Sequence, residues 1–143
     1  MKDSRSSAVR GAFFFVGAML AFTSCEAVDV FALGHYEHKW TPGENFRLAT
    51  LASAVLMGIV ATLFAVTTVL GARHTGVNRS SCAVLGAAYS TGAFLLTQFL
   101  PGVLNPEGWP IVIVTWSYVL GAPVFLGFLV SRRRSLEEAV NGA

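Results

Sequence analysis

LATLASAVLMGIVATLFAVTTVLGA, residues 48–72, decides the fold, because these 25 residues include no Asp, Glu, Lys, Arg or His. A helix rises about 1.5 Å per residue, so a run of this length crosses the roughly 30 Å hydrocarbon core of a bilayer. Residues 80–100 and 108–131 are equally free of ionisable Asp, Glu, Lys, Arg and His. These runs are continuously apolar and do not alternate as barrel strands do, so they predict transmembrane helices.

A fourth apolar segment is interrupted near its end. Residues 11–25 carry no charge, but Glu26 and Asp29 follow before apolar sequence resumes at residues 30–33. This segment reaches spanning length only when both carboxylates are included. We therefore predict an all-α integral membrane four-helix bundle that forms one domain over residues 1–143, with spans at about 10–33, 46–72, 80–100 and 109–131 and with residues 1–9 outside the helix.

The composition excludes several classes of function. The chain is 54% hydrophobic and 13% charged, whereas soluble domains carry about 25% charged residues. It has no Ser/His/Asp signature, no nucleotide-binding glycine loop, no CxxC pair, and no His within the charge-free runs to ligate haem. We therefore expect no cofactor and no nucleic-acid partner, and the chain leans away from being an enzyme.

The basic residues predict an orientation. Eight of the ten fall on one side of the predicted spans: Lys2, Arg5, Arg10, Arg73, Arg79, Arg132, Arg133 and Arg134. Short loops rich in Lys and Arg stay in the cytoplasm, so both termini are predicted to be cytoplasmic in a plasma or bacterial inner membrane. The cluster Arg132, Arg133 and Arg134 stands where anionic lipid headgroups lie, which predicts a headgroup contact.

Local signals refine the helices. Thr41 and Glu44 have the spacing of a capping box with Pro42 at the first helical position, so helix 2 is predicted to begin there. Pro123 leaves the carbonyl of Val119 without its helical donor and predicts a kink in helix 4. The short connections after helices 2 and 3 predict that consecutive helices pack side by side and antiparallel.

Small residues at four-residue spacing allow helix backbones to approach closely in lipid. Each predicted helix carries such residues, and those we assign to helix packing are Gly17, Ala21, Ala54, Gly58, Gly86, Ser90, Gly92 and Gly121. Gly and Ala are common throughout this chain, so composition alone is the alternative explanation. The helix faces that carry these small residues predict tight packing, either within the chain or against a separate subunit.

Glu26 and Asp29 admit three interpretations. They are three residues apart and share a helix face, and carboxylates within the hydrocarbon region generally mark function. The pair is therefore a candidate intramembrane proton site. Alternatively it marks the point where the helix leaves the membrane, which suits Asp29 better than Glu26. The third interpretation treats Cys25 as a lipoprotein cleavage site, but Phe22 stands where that signal has Leu.

A possible metal site follows the first helix. His35 and His38 flank Glu37, and two imidazoles with a carboxylate are suitable ligands for zinc or another divalent ion. The pattern is short and lies in a predicted loop, so a solvated interfacial loop is the competing interpretation.

We expect the chain to be an accessory or assembly subunit of a larger membrane complex, because it has small-residue faces, few polar groups in its spans and no soluble domain. Its expected partners are the lipid bilayer and either other membrane subunits or further copies of itself. A small proton-coupled transporter or channel that uses Glu26 and Asp29 in an oligomer is the alternative. A membrane enzyme or metal site at His35 and His38 is the second alternative.

Overall fold

The computed structural model describes residues 2–70, 78–103 and 108–142, with side chains described for 6–70, 78–101, 108–131 and 139–142. The prediction of an all-α chain is confirmed. The elements are α1 (Lys2–Ala27), a single π-turn that extends it (Val28–Ala32), α2 (Pro42–Leu70), α3 (Arg79–Val103) and α4 (Trp109–Asn141). Four stretches are long and apolar enough to cross a membrane: Ser6–Ala32, Pro42–Leu70, Arg79–Pro101 and Trp109–Ser131.

The first turns of α1 belong to the bundle, so the prediction that residues 1–9 lie outside the helix is wrong. The Ser7 hydroxyl is buried and donates to the Ala65 carbonyl of α2 at 2.9 Å. Arg10 is also buried, and its guanidinium donates to the Ser6 hydroxyl at 3.0 Å. These contacts hold a polar segment in helical form against α2, which local sequence does not reveal.

The predicted capping box begins α2. The Thr41 N–H donates to Glu44 Oε2 at 2.9 Å, and the Glu44 N–H donates back to the Thr41 hydroxyl at 3.3 Å. The two residues thereby satisfy donors that a helix start leaves without partners. Pro42 takes the first helical position, as predicted.

The four helices form a square in which α1 and α4 each pack against both α2 and α3. Consecutive helices α2 and α3 lie across a diagonal and barely touch over the residues that the structure describes. The prediction that these two helices are side-by-side neighbours is therefore wrong. The place beside α3 is taken by α1, which runs parallel to it, as the pairs Phe13–Arg79 and Phe22–Phe94 show.

Two glycines make the close contact between α1 and α3 possible. A Cβ atom on Gly17 would collide with the Ala83 carbonyl, and one on Gly86 would collide with the Phe14 carbonyl. The two backbones therefore touch, which is how small residues favour helix association in lipid. Next to this crossing, Phe14 stacks on Phe64 of α2 with ring centroids 4.4 Å apart. Both side chains are fully buried.

Two tyrosines attach α4 to α3. The rings of Tyr89 and Tyr118 stack 5.4 Å apart, and Gly92 leaves room for the Tyr118 hydroxyl. The Tyr89 hydroxyl donates to the Val119 carbonyl at 3.0 Å, while the Tyr118 hydroxyl donates to the Tyr89 carbonyl at 3.0 Å. Residue 123 would normally donate to the Val119 carbonyl but is proline. Tyr89 therefore supplies the donor that Pro123 lacks.

This geometry predicts that Tyr89 and Pro123 are energetically coupled. Tyr89→Phe removes the donor from the Val119 carbonyl and should lower the free energy of unfolding by about 0.5–1.5 kcal/mol. In a Pro123→Ala background the backbone N–H returns, so the same substitution should cost less. Unfolding of the four proteins in one detergent measures the coupling as a double-mutant cycle. An equal cost of Tyr89→Phe in both backgrounds would contradict it.

Candidate functional site

Glu26, Asp29 and His35 lie at the end of the bundle where α1 stops and α2 begins. We call this the outer end, because the distribution of Lys and Arg predicts that it faces away from the cytoplasm. The three side chains are brought together by the way α1 ends, and each has a different exposure to solvent.

The π-turn sets the position of Asp29. The Leu33 N–H donates to the Val28 carbonyl at 3.0 Å, five residues back instead of four. Gly34 then adopts a φ of 71°, a left-handed conformation that suits glycine and ends the helix. The chain turns back, and the His35 N–H donates to the Asp29 carbonyl at 3.0 Å. Single π-turns in helices are frequent at functional sites.

The turn brings two ionisable side chains into contact. His35 Nδ1 lies 2.9 Å from Asp29 Oδ1. The side chain of His35 is 67% exposed, whereas that of Asp29 is 13% exposed. Asp29 is therefore linked through the imidazole to solvent, although its own carboxylate is largely covered.

Glu26 is the most deeply buried of these three residues. Its residue exposure is 9%, and it makes no hydrogen bond or ion pair with any residue in the described part of the chain. Arg10 is buried in the same helix but is sixteen residues away, about 24 Å along the axis. A carboxylate held away from water is costly unless it is paired or neutral, and the side chain of Glu26 is largely covered by the bundle.

Thr50 of α2 lies at the same depth as Glu26. The two helices run antiparallel, and Phe31 packs against Phe46 with ring centroids 5.5 Å apart. Glu26 is five residues inward from Phe31, and Thr50 is four residues inward from Phe46. Thr50 also shares a face with Ala61, which packs on α1 about three turns further along. The Thr50 hydroxyl is buried and has no hydrogen-bond partner.

Sequence reasoning did not single out Thr50. A Thr within an apolar run is common, and its hydroxyl usually bonds to the preceding turn of its own helix. Thr62 does so, donating to the Gly58 carbonyl at 2.8 Å. The difference between Thr50 and Thr62 is visible only once α1 and α2 are in register.

The predicted metal ligands are engaged elsewhere. Glu37 pairs with Lys39 at 2.9 Å, and the His38 ring packs edge-on against Tyr36. His35 contacts Asp29. Among the residues with described positions, no three His, Cys, Asp or Glu side chains are grouped so as to hold a metal ion. The structure thus does not bring His35, Glu37 and His38 together.

The small residues assigned to packing fall in different environments. Gly17 and Gly86 lie at the α1–α3 crossing, Ser90 is fully buried, and Ala21 and Ala54 are half-buried. Gly92 accommodates Tyr118. The predicted headgroup cluster Arg132–Arg134 belongs to α4, but its side chains lie outside the described residues.

Gly58 and Gly121 face open space, because a Cβ atom on either would meet no atom within 4 Å. Gly58 lines a groove of about 550 Å³ between α1 and α2. Most of its walls are small side chains: Ala8, Gly11, Ala12, Ala61 and Ala65. Gly121 lines a second apolar groove, of about 440 Å³, between α2 and α4.

Comparison with known proteins gives no relative from which to transfer a function. No family model matches this chain, and no curated protein or solved structure matches it.

The environment of Glu26 predicts the effect of replacing it. Glu26→Leu exchanges an unpartnered buried carboxyl for an apolar side chain of similar size, so it should raise the free energy of unfolding by about 1–3 kcal/mol. The matched control is Glu44→Leu, which breaks the capping box and should lower the free energy of unfolding by about 1 kcal/mol. Denaturant unfolding of both variants in the same micelles measures the difference. A loss of stability in Glu26→Leu comparable to that of the control would mean that Glu26 has a stabilising partner.

Proposed function

We propose that this chain is an integral membrane protein with both termini in the cytoplasm and that it serves as an accessory or assembly subunit of a larger membrane complex. Four helices of sufficient length and hydropathy support the insertion. The excess of Lys and Arg on one side of the spans supports the orientation.

The groove between α1 and α2 carries the proposal of an assembly role. Helices associate in lipid mainly through close packing, which small side chains permit. The groove has such walls on both sides, and its floor at Gly58 is free of contacts from the rest of the chain. A transmembrane helix of another subunit is the partner that such a surface suits.

The outer half of α4 adds a second apolar surface. Trp109, Ile113 and Trp116 are all largely exposed, and the buried positions of this helix begin at Val119. The helix is thus held by its inner half, while its outer half is available to lipid or to a partner. Trp109, at the start of α4, also stands where Trp favours the membrane interface.

Filling the groove tests the assembly role. Gly58→Leu adds bulk that the chain itself does not contact, so the fold should persist while co-purification of other subunits from native membranes in mild detergent is lost. Gly121→Leu makes the same change in the groove between α2 and α4 and should retain the partners, because the proposed assembly surface is the groove between α1 and α2. Loss of the partners in Gly121→Leu alone would contradict the proposal. Stoichiometry is measured by quantitative mass spectrometry. Recovery of the wild-type chain only as a homo-oligomer, or unchanged partners in Gly58→Leu, would contradict the proposal.

A proton-coupled transporter or channel is the second candidate function, favoured by the burial of Glu26 without a partner. In liposomes with an imposed pH gradient, Glu26→Gln should abolish a proton flux that the wild-type protein supports, because an amide cannot carry the proton. A pH-sensitive dye inside the vesicles reports the flux. An unchanged flux in the variant would remove this candidate.

A further inference from the structure

We propose that Glu26 is a proton-binding site of the outer end, held as the neutral acid within the bundle and supplied from solvent through His35 and Asp29. This inference deepens the second candidate function, because it concerns the same carboxyl, but it does not rest on a proton flux, since a carboxyl can hold a proton without conducting it.

The surroundings of Glu26 favour a proton over a larger ligand. No described base pairs with the carboxylate, and ionisable groups inside a membrane are costly unless they are paired or neutral. Ca²⁺ and Mg²⁺ take six or more ligands and Zn²⁺ takes four, whereas among the described residues this depth offers the Glu26 carboxyl and the Thr50 hydroxyl. A neutral carboxyl can both donate and accept a hydrogen bond, as can a hydroxyl. The Thr50 hydroxyl is a group of this kind at the same depth, and in the structure it has no hydrogen-bond partner.

Three ionisable side chains lead from solvent to this site in order of falling exposure. His35 is exposed, Asp29 is half-buried and Glu26 is buried. His35 Nδ1 is 2.9 Å from Asp29 Oδ1, and Asp29 shares a helix face with Glu26 three residues away. Series of Asp, Glu and His side chains are the usual proton relays of membrane proteins.

Each transfer in this series is balanced. An imidazolium at His35 gives its Nδ1 proton to the Asp29 carboxylate, leaving a neutral imidazole and a neutral acid. Asp29 then gives the proton to the Glu26 carboxylate and returns to the ionised form. The N–H and O–H bonds that break are each replaced by an O–H bond on the next group, and no electrons are transferred.

The neighbouring charges do not compete for this role. On α2, Glu44 is bonded to Thr41, and Arg47 is exposed. In the loop, Glu37 and Lys39 pair with each other. On α3, residues 80–100 contain no Asp, Glu, Lys, Arg or His.

The series ends at Glu26. Inward of it on α1, the Thr23 hydroxyl donates to the Met19 carbonyl at 2.8 Å and the Ser24 hydroxyl donates to the Leu20 carbonyl at 2.7 Å. Both hydroxyls are thereby tied to their own helix and offer no onward step along α1. In a single chain Glu26 therefore stores a proton.

Infrared spectroscopy of the full chain in lipid vesicles tests the protonation state. At neutral pH the wild-type spectrum should contain a neutral carboxylic acid C=O band that Glu26→Gln removes and Asp29→Asn retains. Absence of the band from the wild-type protein, or its persistence in Glu26→Gln, overturns the proposal.

A chemical probe makes the result independent of variants. Dicyclohexylcarbodiimide adds to a protonated carboxyl in an apolar setting, so peptide mapping of the wild-type protein should find the adduct at Glu26. An unmodified Glu26 in protein whose exposed carboxyls are also intact overturns the neutral state.

Deuterium exchange tests the supply route. On transfer to D₂O the Glu26 band shifts as its proton is replaced. Loss of the relay groups in Asp29→Asn or His35→Ala should slow this shift by about a hundredfold, the order of magnitude that a positioned acid or base contributes to proton transfer. Exchange as fast as in the wild-type protein would overturn the route through Asp29 and His35.

Discussion

The close parallel contact of α1 with α3 is the constraint on which the rest of the structure depends. Gly17 and Gly86 let the two backbones touch, and no larger side chain fits at either position. With α3 on one side of α1 and α2 on the other, α4 must close the square opposite α1. The register of α2 along α1, from Ser7–Ala65 to Phe31–Phe46, then places Thr50 at the depth of Glu26.

The sequence predicts the helices well because their signals are local. Uncharged runs of spanning length, the Thr41–Glu44 capping box and the helix-ending Gly34 act within one element. Which helices become neighbours depends instead on contacts between residues that are far apart in the sequence. Short connections favour side-by-side packing of α2 and α3, but the glycine contact between α1 and α3 outweighs that preference.

The candidate site shows the same difference between local signals and contacts that depend on the fold. Glu26 and Asp29 stand out in the sequence as carboxylates in an apolar segment, yet their spacing alone does not distinguish a buried pair from a helix end. The structure separates them: Asp29 joins His35 through the π-turn, and Glu26 is buried without a partner. Thr50 had no signal, because its importance arises from the register between helices.

The order of the four helices around the square also separates positive from negative partial charge at the outer end. α1 and α3 are neighbours that both finish there, while α2 and α4 are neighbours that both start there. Helix dipoles place partial negative charge at C-termini and partial positive charge at N-termini. The π-turn that carries Asp29 and contacts His35 extends α1, on the negative half. The directions of the four helices thus give the outer end a negative half at α1 and α3 and a positive half at α2 and α4.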